Sequence, residues 1–238
     1  MRALLVLVTA CRIGFSDVPA IAIADAAPDA FVECAIDGTP CDDHNICTNT
    51  SSCVGGACVG AGGSCEVAHS MAEFGTTQGD NHWFYGFWDI TDDRDGGYGA
   101  DDFQELVFDG SLWRPPGWAP DPDPSFTWAY LAAWGGHPGS YPIQRAVVRR
   151  WVSPVAGDAI ARVTQNKSDA SGGDGTRAML FVDGVQLLAR DVAGTDSTGF
   201  VEDVPVTLAV GSRVDLLLHF IGDDERDTTN QALDVISR

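Results

Sequence analysis

Basic side chains are scarce in this sequence. Its 238 residues carry 14 lysines and arginines against 34 aspartates and glutamates, which makes the formal net charge −20. Lys167 is the only lysine. A surface this acidic repels nucleic-acid phosphates and anionic lipid headgroups, so a nucleic-acid partner is excluded. It favours cations, calcium above all, and neutral ligands such as sugars.

Long apolar runs are absent as well, and no stretch is long enough to span a bilayer. The longest run, at residues 3–10, follows Arg2 and is typical of the apolar region of a secretory signal peptide. We therefore predict a signal peptide over residues 1–10 and an exported protein. The alternatives are cleavage by signal peptidase within residues 20–26 and a buried strand at residues 4–8.

Cys11 stands apart from the other cysteines. Together with the preceding Val8-Thr9-Ala10 it resembles the lipobox of bacterial lipoproteins, whose cysteine is lipidated and becomes the mature N-terminus. The resemblance implies lipidation of Cys11, a flexible acidic linker over residues 11–32, and contact with a membrane only through the lipid anchor. It implies a lipoprotein of the outer membrane or cell surface, and without the anchor the protein is secreted.

Cysteine is missing after residue 65, and six cysteines are crowded between residues 34 and 65. They are Cys34, Cys41, Cys47, Cys53, Cys58 and Cys65. Their gaps of six, five, five, four and six residues lack the paired spacing that zinc sites favour. We predict up to three disulfides, which persist outside the reducing cytosol, with a zinc site as the weaker alternative.

The same stretch carries a motif. Residues 37–48 are DGTPCDDHNICT, and residues 53–60 are CVGGACVG. This pattern resembles an extracellular cysteine-rich repeat of slime-mould and myxobacterial surface proteins, present here in one copy. The resemblance implies an extracytoplasmic spacer or matrix module, which we place at residues 33–66.

Helical periodicity is lacking from residue 71 to the end. Short strand-like segments alternate there with Gly, Pro, Asp and Asn, which predicts an all-β domain, an antiparallel β-sandwich or jelly roll, at residues 71–238. Asp183-Gly184 is a strong signal for a two-residue hairpin turn. The predicted strands cover residues 82–88, 146–152, 159–164, 178–182, 185–192, 204–210 and 214–221.

Several short motifs recur in a characteristic order. They are QGDNHWFYG at residues 78–86, HPG at 137–139, VRRWVSPVAG at 148–157, GDG at 173–175 and VDG at 182–184. Together they resemble β-jelly-roll modules appended to secreted bacterial carbohydrate-active and surface proteins. The sequence departs from these modules in an acidic insert at residues 92–102 and a proline-rich segment at 115–124.

Strand direction predicts which loops meet. Successive connections of an antiparallel sandwich alternate between its two ends. One end should hold the turns at residues 154–157, 183–184 and 211–212, and the other the loops at 169–175, 193–200 and 222–231 with the loop before residue 146. At the second end we predict a calcium site formed by Asp174, Asp196, Asp223, Asp224 and Asp227. The alternative is that these aspartates simply populate turns, whose dihedral angles Asp tolerates.

All seven tryptophans lie in the C-terminal domain, several of them in loops rich in Pro and Gly. Flat aromatic rings stack on the apolar C–H faces of sugars while polar neighbours bond the hydroxyls. The residues that we predict to contact a ligand are Trp83, Tyr85, Trp118, Trp134 and His137. The alternative is that the tryptophans pin loops to the sandwich; Trp151, within a strand, is expected in the core.

Catalytic motifs are also lacking. None of the five histidines belongs to an H-x-H or H-E-x-x-H motif or to a nucleophile elbow. The sequence favours a non-catalytic surface protein that binds a glycan or another polymer of the cell envelope. Two alternatives stay open: a structural or interaction protein of the envelope, and a secreted glycan-degrading enzyme, for which two carboxylates suffice.

Overall fold

The computed structural model describes residues 34, 36–41, 50–61, 65–93, 95–117 and 128–238. Within this set, residues 34–61 belong to one compact unit and residues from 65 onward to a second. In these ranges no helix has the length and apolar character needed to cross a membrane. The predicted signal peptide, the linker, Cys11, Cys47 and Trp118 lie outside the described residues.

The N-terminal unit contains a small antiparallel sheet. Its strands are β1 (Pro40–Cys41), β2 (Thr50–Val54) and β3 (Ala57–Ala61), in the order β1-β2-β3. Apolar side chains in this unit stay in solvent, since Ile36 is 71% exposed and Val54 56% exposed. A unit with so little apolar burial depends on covalent links.

Two disulfides supply those links, Cys34–Cys53 and Cys41–Cys58. Cys65, at the start of the second unit, is disulfide-bonded as well. The sulfurs of Cys34, Cys41 and Cys58 lie within 4.8 Å of one another, but sulfurs joined in disulfides are not thiolates that ligate zinc. The disulfide prediction is therefore confirmed for these five cysteines.

The C-terminal unit is a sandwich of two antiparallel sheets, which confirms the predicted all-β fold. Its strands are β4 (Cys65–His69), β5 (Trp83–Asp89), β6 (Gln104–Glu105), β7 (Val107–Phe108), β8 (Trp113–Arg114), β9 (Tyr130–Ala132), β10 (Gly135–His137), β11 (Arg145–Val152), β12 (Gly157–Lys167), β13 (Thr176–Val182), β14 (Val185–Val192), β15 (Phe200–Leu208), β16 (Arg213–Phe220) and β17 (Thr229–Ser237). Sheet 1 has the order β15-β12-β17-β10-β9-β8-β7, with β4 also beside β17. Sheet 2 has the order β14-β13-β16-β11-β5-β6.

Alternation of side chains along the strands creates the core between the sheets. In β12, Ala159, Ala161 and Val163 are buried, while Arg162 points outward. A period of two residues places alternate side chains on opposite faces of a sheet, so the buried set faces sheet 2. Trp151 of sheet 2 joins the same core and is 1% exposed, as predicted.

The predicted hairpin turn at Asp183-Gly184 joins β13 to β14, and both residues have positive φ, 50° and 82°. Positive φ at both central positions is the geometry that matches the twist of the flanking strands, and Gly adopts it without strain. Asp183 N donates to Arg213 O at 2.9 Å, and Ser153 N donates to Ser212 O at 2.8 Å. These turns therefore meet at one end of the sandwich, as strand direction predicts.

Arg149 lies on the inner face of β11 and is fully buried. Its guanidinium donates to carbonyl oxygens of Ser70, Ala132 and Gly135, and it lies 5.5 Å from the centre of the Phe74 ring. Burial lowers the pKa of Arg149 to about 10, so the side chain stays charged at neutral pH. One cation thus ties sheet 2 to the end of β4 and to the β9–β10 hairpin of sheet 1.

We expect Arg149→Met to lower the free energy of unfolding by about 3 kcal/mol or more, because buried carbonyl oxygens then lose their donors. Urea unfolding of the full chain measures the change. The control is Arg162→Met, which removes an ion pair with Asp203 whose side chains are 41% and 43% exposed. That loss should stay below about 1 kcal/mol. Equal effects of the two substitutions would contradict the role of Arg149.

Candidate ligand-binding surface

Four of the six tryptophans in the described residues belong to the interior of the sandwich. Those with at most 6% exposure are Trp83, Trp88, Trp113 and Trp151. Trp128 is 58% exposed and Trp134 is 37% exposed. Burial therefore separates the tryptophans that hold the fold from the two that a ligand can reach.

The prediction that Trp83 and Tyr85 contact a ligand is wrong, because both are 0% exposed. Both face sheet 1 from β5. Trp83 Nε1 donates to Glu73 Oε2 at 2.8 Å, and the Tyr85 hydroxyl accepts from Gly75 N at 2.9 Å. Their polar atoms are thus satisfied within the fold. Trp88 points to the opposite face of the strand, as the sequence predicts.

Trp134 and His137, both predicted as ligand contacts, lie together with two residues that the sequence analysis did not select, Trp128 and Tyr130. The Tyr130 ring centre is 5.8 Å from that of His137 and 6.3 Å from that of Trp134. The Trp128 ring centre is 6.5 Å from that of His137. We call these four residues the aromatic patch; Trp128 and Trp134 are exposed, Tyr130 is half-buried, and His137 is only 7% exposed.

The β9–β10 hairpin creates this patch through its register. Tyr130 and His137 are direct partners across the two strands, so their side chains share one face of sheet 1. Leu131 pairs with Gly136 and points the other way, into the core. The signal for this arrangement is the spacing of Trp128 and Tyr130, which are two residues apart and precede a short hairpin.

Charge near the patch is balanced. The Arg114 guanidinium lies 5.4 Å from the centre of the Tyr130 ring, and its Nε bonds to Asp109 Oδ2 at 2.7 Å. Burial lowers the pKa of His137, which is therefore neutral at pH 7. Its Nδ1 contacts the carbonyl oxygen of Pro138 at 2.5 Å. A carbonyl only accepts, so Nδ1 carries the proton and Nε2 is an acceptor.

The acidic loops meet at one end of the sandwich, as strand direction predicts. Lys167 N donates to Asp196 O at 3.1 Å, and Ser168 N donates to Thr228 O at 3.0 Å. The loop before β11 joins them, because Ser140 Oγ donates to Asp224 Oδ1 at 2.7 Å. This end adjoins the aromatic patch, since Ser140 follows His137 by three residues.

The aspartates predicted to bind calcium all accept hydrogen bonds from the protein itself. The donors are the backbone N of Asp223 for Asp174, the N of Thr198 and Gly199 for Asp196, the N of Glu225 for Asp223, the N and Oγ of Ser140 for Asp224, and Lys167 for Asp227. Calcium takes six to eight oxygen ligands. Within the described residues, no three of these carboxylates converge within 4.8 Å. Calcium at this end stays a prediction.

Lys167 and Asp227 form a buried ion pair beneath these loops. Both side chains are 0% exposed, and Nζ lies 2.7 Å from Asp227 Oδ1 and 2.6 Å from Arg226 O. Burial raises the pKa of Asp227 to about 6, and the nearby Asp174 and Asp224 add to the rise against the opposing effect of Lys167. The ammonium group of Lys167, the only lysine, thus neutralises part of the acidic end.

Asp227 makes stability depend on pH. The pKa of Asp227 in the fold lies above its ordinary value of 3.8, so the folded chain binds this proton more tightly than the unfolded chain does. The resulting stabilisation is complete below about pH 4 and is lost as the pH rises through about 6. We expect the advantage in unfolding free energy of wild type over Asp227→Asn to grow as the pH falls from about 7 to 4. Urea unfolding at a series of pH values measures it.

Asp191→Asn is the matched control. A hydrogen bond from Arg177 lowers the pKa of Asp191, so its stabilisation is present above the ordinary pKa and is lost toward acid. The wild-type advantage over this variant should shrink as the pH falls. The same trend in the Asp227 pair would show that the pKa of Asp227 is not raised.

The loop after β5 covers part of the outer face of sheet 2. Tyr98 is 6% exposed, and its ring centre lies 5.8 Å from that of Trp88 and 4.9 Å from that of Phe181. Its hydroxyl donates to Asp215 Oδ2 at 2.8 Å, and Arg150 Nε bonds Asp215 Oδ1 at 2.7 Å. The acidic insert therefore packs on this face of sheet 2 and covers Trp88.

No family model matches the chain, and neither does any curated protein. Among solved structures it is similar to the K3 cleaved adhesin domain of Lys-gingipain from Porphyromonas gingivalis, with 14% identity, a TM-score of 0.33, and coverage of 72% of this chain and 98% of that one. It is similar to a CBM36 carbohydrate-binding module in complex with calcium and xylotriose, with 20% identity, a TM-score of 0.22, and coverage of 42% and 84%. A third is Arthrobacter globiformis isomalto-dextranase complexed with panose, with 14% identity, a TM-score of 0.29, and coverage of 73% and 32%. Likeness of this degree leaves the function to be argued from the side chains.

Proposed function

We propose that this chain is an exported, non-catalytic protein that binds a glycan through the aromatic patch. The observation that carries the proposal is the exposure of Trp128, beside the His137 ring, and of Trp134, beside the Tyr130 ring, in a domain that buries its other described tryptophans. Among the described residues, the domain buries four tryptophans and leaves these two 58% and 37% exposed. Clustered exposed aromatic side chains mark a binding surface.

The chemistry of the patch suits a sugar. Tryptophan rings stack on the apolar C–H faces of pyranoses, and polar atoms at their rim bond the hydroxyls. His137 lies beneath these rings at 7% exposure, and Arg114 pairs with Asp109. The acidic surface repels polyanions, which favours an uncharged glycan.

Export is supported by the disulfides, which persist in oxidising compartments. Attachment to the outer membrane through a lipid on Cys11, and a polymer of the cell envelope as the partner, belong to the same proposal. Calcium at the acidic end belongs to it as well, since Asp224 holds the loop that follows His137. Each of these parts is open to separate tests.

We expect Trp128→Ala and Trp134→Ala each to weaken glycan binding about tenfold or more, because each removes a stacking ring. Affinity gel electrophoresis of the full chain in neutral polysaccharides, with a glycan array, measures binding. Val210→Ala is the control, because Val210 is 71% exposed and lies in the turn between β15 and β16 at the other end of the sandwich. Melting temperatures of the variants should match wild type.

Each arm is run with calcium and with a chelator. Loss of binding in chelator would add the acidic aspartates to the site. Binding that survives both tryptophan substitutions would move the site elsewhere. Failure of the wild-type chain to bind any glycan in either condition would overturn the proposal and leave a structural protein of the envelope.

A further inference from the structure

The register of sheet 1 aligns small and amide side chains in one row beside the aromatic patch. Ala132 pairs with Gly135, Gly135 with Asn230, and Asn230 with Asn166. Gly199 lies against Asn166, since a Cβ on Gly199 would meet the Asn166 Cα at 2.7 Å. The row therefore crosses β9, β10, β17 and β12 and ends at the start of β15.

This row lies on the outer face of the sheet. The neighbours of these residues along the strands, Leu131, Thr229 and Gln165, are each 0% exposed and face the interior. Side chains alternate between the two faces, so the row lies on the outer face of sheet 1. Asn166, Gly199 and Asn230 are half-buried there, whereas Ala132 and Gly135 are buried. Adjacent strands are about 4.8 Å apart, so four spacings extend the row over about 19 Å, and we call this row of residues the trough.

Gly135 is the member of the row next to Trp134, and it is buried. A Cβ at this position would lie 1.9 Å from Thr229 O, so only glycine allows β10 to pair this closely with β17. As a result no side chain separates Trp134 from Asn230.

Asn230 and Asn166 form the middle of the trough. Asn230 Nδ2 donates to Asn166 Oδ1 at 2.7 Å, and both residues are half-buried. Each amide has two donor hydrogens and one acceptor oxygen. Among the described residues these side chains make no other hydrogen bond, so the Nδ2 group of Asn166 and the Oδ1 atom of Asn230 stay available to hydroxyl groups of a ligand.

We propose that the glycan runs across the strands of sheet 1, with one end on the aromatic patch and its chain along the trough over Asn230 and Asn166. This inference rests on the proposed function and names its ligand class: an extended, uncharged oligosaccharide several sugars long. Acidic glycans are disfavoured because the chain carries a formal net charge of −20. The aromatic rings supply stacking, and the amides select hydroxyl positions.

The test uses soluble oligosaccharides of two to six units from β-1,4-glucan, β-1,4-xylan and α-1,6-glucan, titrated calorimetrically into the full chain. For wild type we expect affinity to rise with chain length until the trough is filled. The double variant Asn166→Ala/Asn230→Ala should bind the longest oligomers about tenfold more weakly and disaccharides equally well. Polygalacturonate oligomers of the same lengths should bind more weakly than the neutral ones.

Two further variants test whether the ligand occupies the trough. Thr164→Arg places a long side chain on the outer face beside Ala232 and Val201, at the wall of the trough, and should shorten the length dependence without changing the core. Thr207→Ala is the control, because it lies on the same outer face at the far end of β15, where its hydroxyl bonds Asp158. It should leave all affinities unchanged.

Different results would overturn the trough and the proposed function. Binding that needs Trp128 and Trp134 but is the same for two and six sugars, and unaffected by the amide substitutions and by Thr164→Arg, would overturn the trough and leave the patch as the site. Binding by none of the oligosaccharides would overturn the proposed function and the trough together. Stronger binding of the acidic oligomers would overturn the assignment to uncharged glycans.

Discussion

The architecture of the sandwich depends on one buried cation. Arg149 sits in an apolar core and bonds backbone carbonyl oxygens from segments far apart in sequence, Ser70, Ala132 and Gly135. Desolvating a guanidinium is costly, and partial charges on several carbonyls offset that cost without a carboxylate. The strand β17 pairs with β10 near its start and with β4 near its end, and these carbonyls lie where one partner gives way to the next. The same cation thus holds in place the hairpin that carries the aromatic patch.

The two ends of the sandwich differ in charge and in the polarity of the interior beneath them. At one end, tight turns close hairpins with little charge. At the end with the acidic loops, the interior contains polar side chains. Gln165, Thr229 and Gln231 are buried next to the ion pair of Lys167 and Asp227. Most of their polar atoms are bonded within this network, as burial requires. The acidic loops therefore rest on a polar interior whose one ammonium offsets part of their charge, and this support holds the loop next to the aromatic patch.

Local signals were enough for much of the fold. Alternating side chains predicted seven of the strands, Asp183-Gly184 predicted its hairpin, and the antiparallel rule sorted the loops between the two ends. The strand β17 (Thr229–Ser237) was not predicted, and its first residues lie in the loop expected at residues 222–231. The same signals failed for Trp83 and Tyr85, because alternation shows that two residues share a face but not that another sheet covers it. They also passed over Trp128 and Tyr130, since β9 is only three residues long and becomes a strand by pairing with its neighbours.

From the amino-acid sequence alone follow an all-β domain, a disulfide-bonded N-terminal unit and an acidic surface, because each depends on residue type and local spacing. Tertiary structure alone decided which aromatic side chains stay in solvent and which side chains form the row beside them. Exposure depends on what a second sheet or a loop covers, as Tyr98 covers Trp88. The row of Gly135, Asn230 and Asn166 depends on the register of strands distant in sequence, which backbone hydrogen bonds set across the sheet.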